Sequence, residues 1–167
     1  MPMPSKENNH KILGNIGEAK VIAKFIELGF STYMQFGDNE KADIIVVYNG
    51  FPLKLQVKST NSGNAFKVDF NLMSKACITH LKHVYSEKEV DGFALYDCIN
   101  DKVFLLENTG NLKSAVFRYK TTKNHQNIKV KYAKDYFLCV ETLHALAKSS
   151  LKKTFRRYAK DKVRTTM

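Results

Sequence analysis

Ala42-Asp43-Ile44-Ile45-Val46-Val47-Tyr48-Asn49-Gly50-Phe51-Pro52-Leu53-Lys54-Leu55-Gln56-Val57-Lys58 is the stretch that decides the fold. Its continuous β-branched run ends on Asn49-Gly50, the strongest hairpin signal in the chain, because a two-residue turn favours residues that tolerate positive φ. Beyond the turn, Leu53, Leu55 and Val57 alternate with Lys54, Gln56 and Lys58. Side chains alternate across a strand, so an apolar face backs a polar one, and Gln56 and Lys58 share the polar side. Asp43 opens the strand paired with them.

Working outward, apolar residues at Ile12, Ile16, Ala19, Ala23 and Ile26, with a second set at Ile22, Phe25 and Leu28, predict a helix over 12–28 buried on more than one side and stopped by Gly29. A strand over 31–36 and a polar turn over 37–40 lead into the hairpin. Downstream, the pattern predicts a loop over 61–64, a strand over 65–70, a helix over 72–84 and a second hairpin, 93–98 with 102–106, turning at Asn100-Asp101. A strand over 128–132 and a helix over 134–148 follow, the helix with Phe137, Val140, Leu143, Leu146 and Ala147 on its apolar face. This order predicts an α/β (α+β) fold with a central mixed β-sheet flanked by helices.

A chain of 167 residues makes one domain. The expected division is a single core over 1–147 and a basic C-terminal helix over 148–167. A hydrophobic content of 44% excludes a wholly disordered chain. No apolar run reaches the roughly 18 residues of a membrane span, and the first residues lack a signal-peptide core, so the expectation is a cytoplasmic protein with no membrane partner. Cys77, Cys98 and Cys139 have neither disulfide nor zinc spacing and are expected in the core.

The net charge of +11 is unevenly spread. Residues 1–107 balance 12 bases against 13 acids, whereas residues 108–134 hold seven bases and no acid, and residues 148–167 hold eight bases and one acid. Two basic stretches form the electrostatic footprint of a nucleic-acid binder. The candidate phosphate contacts are Lys113, Arg118, Lys120, Lys123, Lys129, Lys131, Lys152, Lys153, Arg156, Arg157 and Lys160.

Asp43, Gln56 thirteen residues later and Lys58 two beyond that suit metal-assisted phosphodiester cleavage. Oxygen ligands hold Mg²⁺, while a lysine orients or helps deprotonate a water and offsets phosphate charge. Gln56 offers only a neutral carbonyl oxygen. Glu18, on the preceding helix beside Ile22 and Phe25, is a carboxylate among apolar neighbours and supplies the missing charge. His80 and His83 have i, i+3 helical spacing but no third ligand, and are read as ordinary surface or core histidines.

At these residues the chain resembles the PD-(D/E)XK nuclease superfamily. Gly14-Asn15-Ile16-Gly17-Glu18-Ala19-Lys20, Ala42-Asp43 and Leu55-Gln56-Val57-Lys58-Ser59-Thr60 resemble the small intron-encoded homing endonucleases of this type, in which the middle acid is likewise a Gln. A weaker resemblance is to the archaeal Holliday-junction resolvases, with a helix Glu ahead of the same strand motif. The chain departs from the motif at Ala42, where its name has Pro, and at Gln56.

The resemblance implies a restriction-endonuclease-like core and a catalytic set of Glu18, Asp43, Gln56 and Lys58. Asp43, Gln56 and Glu18 would be metal ligands or their supports, and Lys58 the catalytic lysine. It further implies Mg²⁺, with Mn²⁺ able to substitute, and products with 5′-phosphate and 3′-hydroxyl ends. The expected function is a site-specific, homing-type endonuclease of double-stranded DNA, acting as a homodimer or homotetramer because one site hydrolyses one strand. The alternatives are a junction resolvase and a non-cutting DNA-binding module of the same fold.

Overall fold

The computed structural model describes residues 6–35, 40–75, 82–121 and 130–165, with side chains over 10–35, 40–74, 82–121 and 130–159. Helix α1 (Lys6–Glu27) leads into β1 (Ser31–Met34), β2 (Ile44–Tyr48) and β3 (Phe51–Thr60). Next come β4 (Lys67–Asn71), β5 (Ser74–Lys75), β6 (Lys82–His83), β7 (Gly92–Asp97), β8 (Lys102–Glu107), β9 (Ser114–Arg118) and β10 (Lys131–Tyr132). A 3-10 turn, Ala133–Asp135, and the long α2 (Val140–Thr165) complete the order.

The central sheet has the order β1-β2-β3-β7-β8. It is mixed, because β3 and β7 run parallel while the other neighbours are antiparallel. Parallel neighbours need a crossover, and this one carries β4, β5 and β6. Tyr48 pairs with Phe51 across a two-residue turn in which Asn49 and Gly50 have φ of 49° and 77°, as the Asn-Gly signal required.

Register sorts the side chains into two faces. Ile44, Val46, Leu53, Leu55, Val57, Ala94 and Leu105 form one, covered by Val21 and Phe25 of α1 and by Leu143 and Leu146 of α2. On the opposite face Phe93, Leu95, Phe104 and Leu106 meet Val68, Phe70, Ala115 and Phe117 of a smaller sheet ordered β10-β9-β4. The Phe104 and Phe117 rings stack at 4.8 Å, with Phe70 edge-on to both at 5.9 and 6.1 Å. The fold is α/β with a mixed sheet, its two helices on one face and a second sheet on the other.

Several expectations are corrected. On α1 the buried line is Gly17, Val21 and Phe25, whereas Ile12, Ile16 and Ile26 are 48%, 45% and 60% exposed. The helix is buried on one side, the side whose glycine lets it approach the sheet. The helix expected over 72–84 is replaced by the short antiparallel pair β5 and β6, with an Asx turn from Asn71 Oδ1 to the Met73 N–H; residues 76–81, with Cys77 and His80, lie outside the described residues. His83 Nε2 lies 2.9 Å from Glu89 Oε1.

Strand β9 was hidden inside a segment read only for its charge, and the helix expected from 134 begins at Val140 after the 3-10 turn. Of the strand expected over 128–132, Lys131–Tyr132 is present, and residues 128 and 129 lie outside the described residues. The expected change of role at 147/148 falls within the continuous α2. Ties to the body run on past it, through Ser149 to Glu107 at 2.6 Å, Ser150 to Asp91, and Lys153 to Glu107 at 2.7 Å. Cys98 and Cys139 are half-buried free thiols, Cys98 packed against the core and Cys139 just ahead of α2.

Candidate active site

Strand β2 begins at Ile44, opposite Leu55, so β3 beyond that point pairs only with β7. A notch opens there in the sheet, and the backbone groups on its lip need partners. Asp43 supplies them. Its N–H donates to the Leu55 carbonyl at 2.9 Å, and its Oδ2 accepts the Val57 N–H at 2.7 Å, continuing the ladder one step with a side chain. The same oxygen accepts the Gln56 amide Nε2, which also lies 3.3 Å from the Val57 carbonyl oxygen. Gln56 therefore turns its nitrogen toward Asp43 and serves it as a hydrogen-bond donor.

Helix α1 closes the notch from one side. A Cβ at Gly17 would lie 1.6 Å from Ser59 Oγ, so only glycine permits this approach. The next residue, Glu18, is thereby set at the rim. His10, Gly14 and Glu18 are spaced one helical turn apart, and together with Leu13, Asp43, Gln56, Val57, Lys58 and Ser59 they line a cleft of about 270 Å³. The Ser59 hydroxyl is buried there without a partner. The Lys58 ammonium donates to the Tyr85 hydroxyl at 3.4 Å.

Electrostatics mark the cleft further. Burial pushes the Glu18 carboxyl above its ordinary range, the Asp43 charge adds to the rise, and Lys58 opposes it. Asp43 is likewise raised by burial, against the pull of the Val57 N–H, the Lys58 charge and the Gln56 amide. Two carboxylates that resist ionisation in one cleft mark a place where added positive charge is favourable. Among the described residues no three His, Cys, Asp or Glu side chains converge as a metal cage, so Asp43, Glu18 and the Gln56 amide are the oxygen donors on hand.

Two larger hollows lie elsewhere. One, about 330 Å³, has two of its lysines paired, Lys20 with Asp101 and Lys24 with Glu27; the other, about 390 Å³, is lined by Tyr48, Phe51, His144 and Leu151. The first gathers two carboxylates, Asp101 and Glu27, but both are exposed and already ion-paired with Lys20 and Lys24, and the second holds none. Chemistry, not volume, singles out the notch.

Glu18, Asp43, Gln56 and Lys58, expected together from sequence, are brought together. Ser59, Gly17 and His10 join them, and the glycine was signalled only by its place next to Glu18. Tyr85 had no sequence signal.

The candidate phosphate contacts are more dispersed. Lys113 precedes β9 and Arg118 ends it, while Lys120 lies 5.3 Å from the Phe66 ring and Lys131 lies 5.9 Å from the Tyr136 ring. Lys152 and Arg156 are exposed on α2 and Arg157 is half-buried. Lys153 differs, being tied to Glu87 at 3.1 Å, Glu107 at 2.7 Å and the Asn108 carbonyl at 2.6 Å. Lys123 and Lys129 lie outside the described residues, as does the Lys160 side chain. No described helix is long and apolar enough to cross a membrane.

The fold has a counterpart among solved structures: a bacterial homing endonuclease, I-Ssp6803I, superposes with a TM-score of 0.60 over 86% of this chain and 97% of that one, at 17% identity. At that identity the likeness is one of fold. No curated protein matches the chain. The family model described as PD-(D/E)XK endonuclease matches residues 8–139, spanning the notch, the crossover and both sheets. By that match the chain belongs to the PD-(D/E)XK endonuclease family.

Proposed function

We propose that the protein is a divalent-cation-dependent endonuclease that hydrolyses phosphodiester bonds in double-stranded DNA at specific sites, in the manner of a homing enzyme. The observation that carries this reading is the convergence of Glu18, Asp43, Gln56 and Lys58, from three elements, on one open strand edge. The donors fit Mg²⁺, with Mn²⁺ as substitute: they are all oxygen, they are too few for a closed cage, and Mg²⁺ keeps several waters. The unpartnered Ser59 hydroxyl fits the same picture, since a hydrated ion brings water to its cleft. Asp43 and Glu18 would hold the ion, with Gln56 contributing its amide oxygen. The bound cation supplies charge stabilisation at the scissile phosphate.

The chain's own residues do the rest. Lys58 orients the attacking water and offsets charge on the phosphate, and Asp43, held from two sides, keeps its position as that charge develops. Attack at phosphorus with departure of the 3′ oxygen gives 5′-phosphate and 3′-hydroxyl ends. One notch serves one strand, so cutting a duplex calls for a homodimer or homotetramer. Bases on the smaller sheet and on α2 would track phosphates.

The Gln56 nitrogen on Asp43 favours a second reading, a DNA-binding module that keeps the fold without cutting. Incubating the protein with a large natural DNA and with a synthetic four-way junction, each in Mg²⁺ and in EDTA, separates the readings. Discrete Mg²⁺-dependent fragments of the natural DNA are expected. Cleavage of the junction alone would make the protein a resolvase, and binding of DNA with no cutting of either substrate would favour the module.

A further inference from the structure

We propose that Tyr85 is a positioning residue for Lys58 in phosphodiester cleavage, a role that rests on reading the notch as the nuclease site. Lysine carries its charge on a flexible four-carbon stem, and a lysine that must meet a phosphate or a water in one geometry needs something to hold it. Tyr85 does so through its hydroxyl, which accepts from Lys58 Nζ at 3.4 Å, with the ammonium 5.4 Å from the ring centre at the hydroxyl-bearing edge.

The phenol is itself fixed. Tyr85 is 3% exposed, and its ring meets Phe93 edge-on at 5.7 Å in the core between the two sheets. Its backbone carbonyl accepts the Asn108 amide at 3.2 Å, and the same amide nitrogen reaches the Ser86 and Val90 carbonyls at 2.9 and 3.1 Å. So the crossover segment is pinned beside β3, with one phenol reaching the notch. A carboxylate in that place would hold the lysine more strongly but neutralise it. A phenol directs the ammonium and leaves its full charge for the phosphate.

The test compares wild type, Tyr85→Phe and Tyr85→Leu in single-turnover cleavage of a large natural DNA with Mg²⁺, alongside DNA affinity in EDTA and thermal unfolding. Tyr85→Phe keeps the ring and loses one hydrogen bond, so its cleavage rate should fall about threefold to tenfold. Tyr85→Leu removes the ring together with its hydroxyl and should lose about 10²-fold, the cost of a misplaced catalytic group. Affinity should stay within about twofold for both, because the step affected follows binding. A role in packing alone would leave Tyr85→Phe at the wild-type rate, and that result overturns the proposal. So does a rate loss matched by an equal loss of affinity. If Tyr85→Leu does not fold, Tyr85→Phe decides. Failure of the wild type to cut would instead overturn the nuclease reading of the notch, and the Tyr85 role with it.

Discussion

Asp43 carries two tasks with one carboxylate. Its Oδ2 completes the strand ladder at Val57 and takes the Gln56 amide, while its charge, next to that of Glu18, makes the cleft receptive to a cation. Both carboxyls are raised above their ordinary values of 3.8 and 4.5, with burial the leading cause. Over the range between those values and the raised ones, the folded chain binds protons that the unfolded chain has released. Stability therefore falls as pH rises through that range.

A divalent cation held there as proposed would bind the deprotonated pair and relieve this penalty, so the rise in Tm produced by Mg²⁺ should grow from mildly acidic to neutral pH and shrink as pH is lowered. Thermal unfolding with Mg²⁺ or EDTA across that range checks it, and a Mg²⁺ effect independent of pH would count against a carboxylate site. Asp43, Gln56 and Lys58 were legible in the sequence because a period of two and a two-residue turn place them without further knowledge. Tyr85 was not, because its contact with Lys58 depends on how a 31-residue crossover folds back, and no local pattern encodes that.

Among the elements, α1 shows both the reach and the limit of pattern reading. Its existence and its Glu18 were legible, but its buried side was misjudged, since the more regular isoleucine stripe faces outward and glycine carries no hydrophobic signal. Packing was decided at Gly17, against Ser59. Gly17→Ala should lower stability by about 1–3 kcal/mol, because the new methyl would overlap Ser59 Oγ and crowd Ser59 Cβ at 2.9 Å, which outweighs a gain in helix propensity of at most ~1 kcal/mol. Gly14→Ala, with open space at its Cβ, should keep that gain and raise Tm. Denaturant unfolding of the two variants tests the pair, and equal effects would contradict the close approach. Strand β9 escaped notice because its flanking bases dominate its sequence, although Ala115 and Phe117 alternate correctly with exposed Val116. Within 72–84 the mixed pattern reads as a helix, but the described Ser74–Lys75 and Lys82–His83 pair as two short strands, a long-range contact that local pattern does not encode.

Across the whole molecule, the mixed sheet is an apparatus for holding one strand edge open. Helices on one face and a small aromatic-rich sheet on the other clamp β3 and β7, whose six residues are all buried. The notch at the end of β2 can thus expose charged groups without loosening the core. Glu18 and Asp43 lie inside this notch with Lys58, and further bases lie outside it on β9 and α2. Sequence charge anticipated that separation, but not that Lys153 belongs to the body through Glu87 and Glu107.

If this notch cuts DNA as proposed, Asp43 and Lys58 decide the rate. The most direct test is single-turnover cleavage of a large natural DNA in Mg²⁺ by wild type, Asp43→Asn and Lys58→Ala, with DNA affinity measured on the same samples. Mg²⁺-dependent fragments are expected from wild type, with a loss of about 10²-fold or more in both variants and affinity nearly unchanged. Cleavage by either variant at the wild-type rate would contradict the proposal.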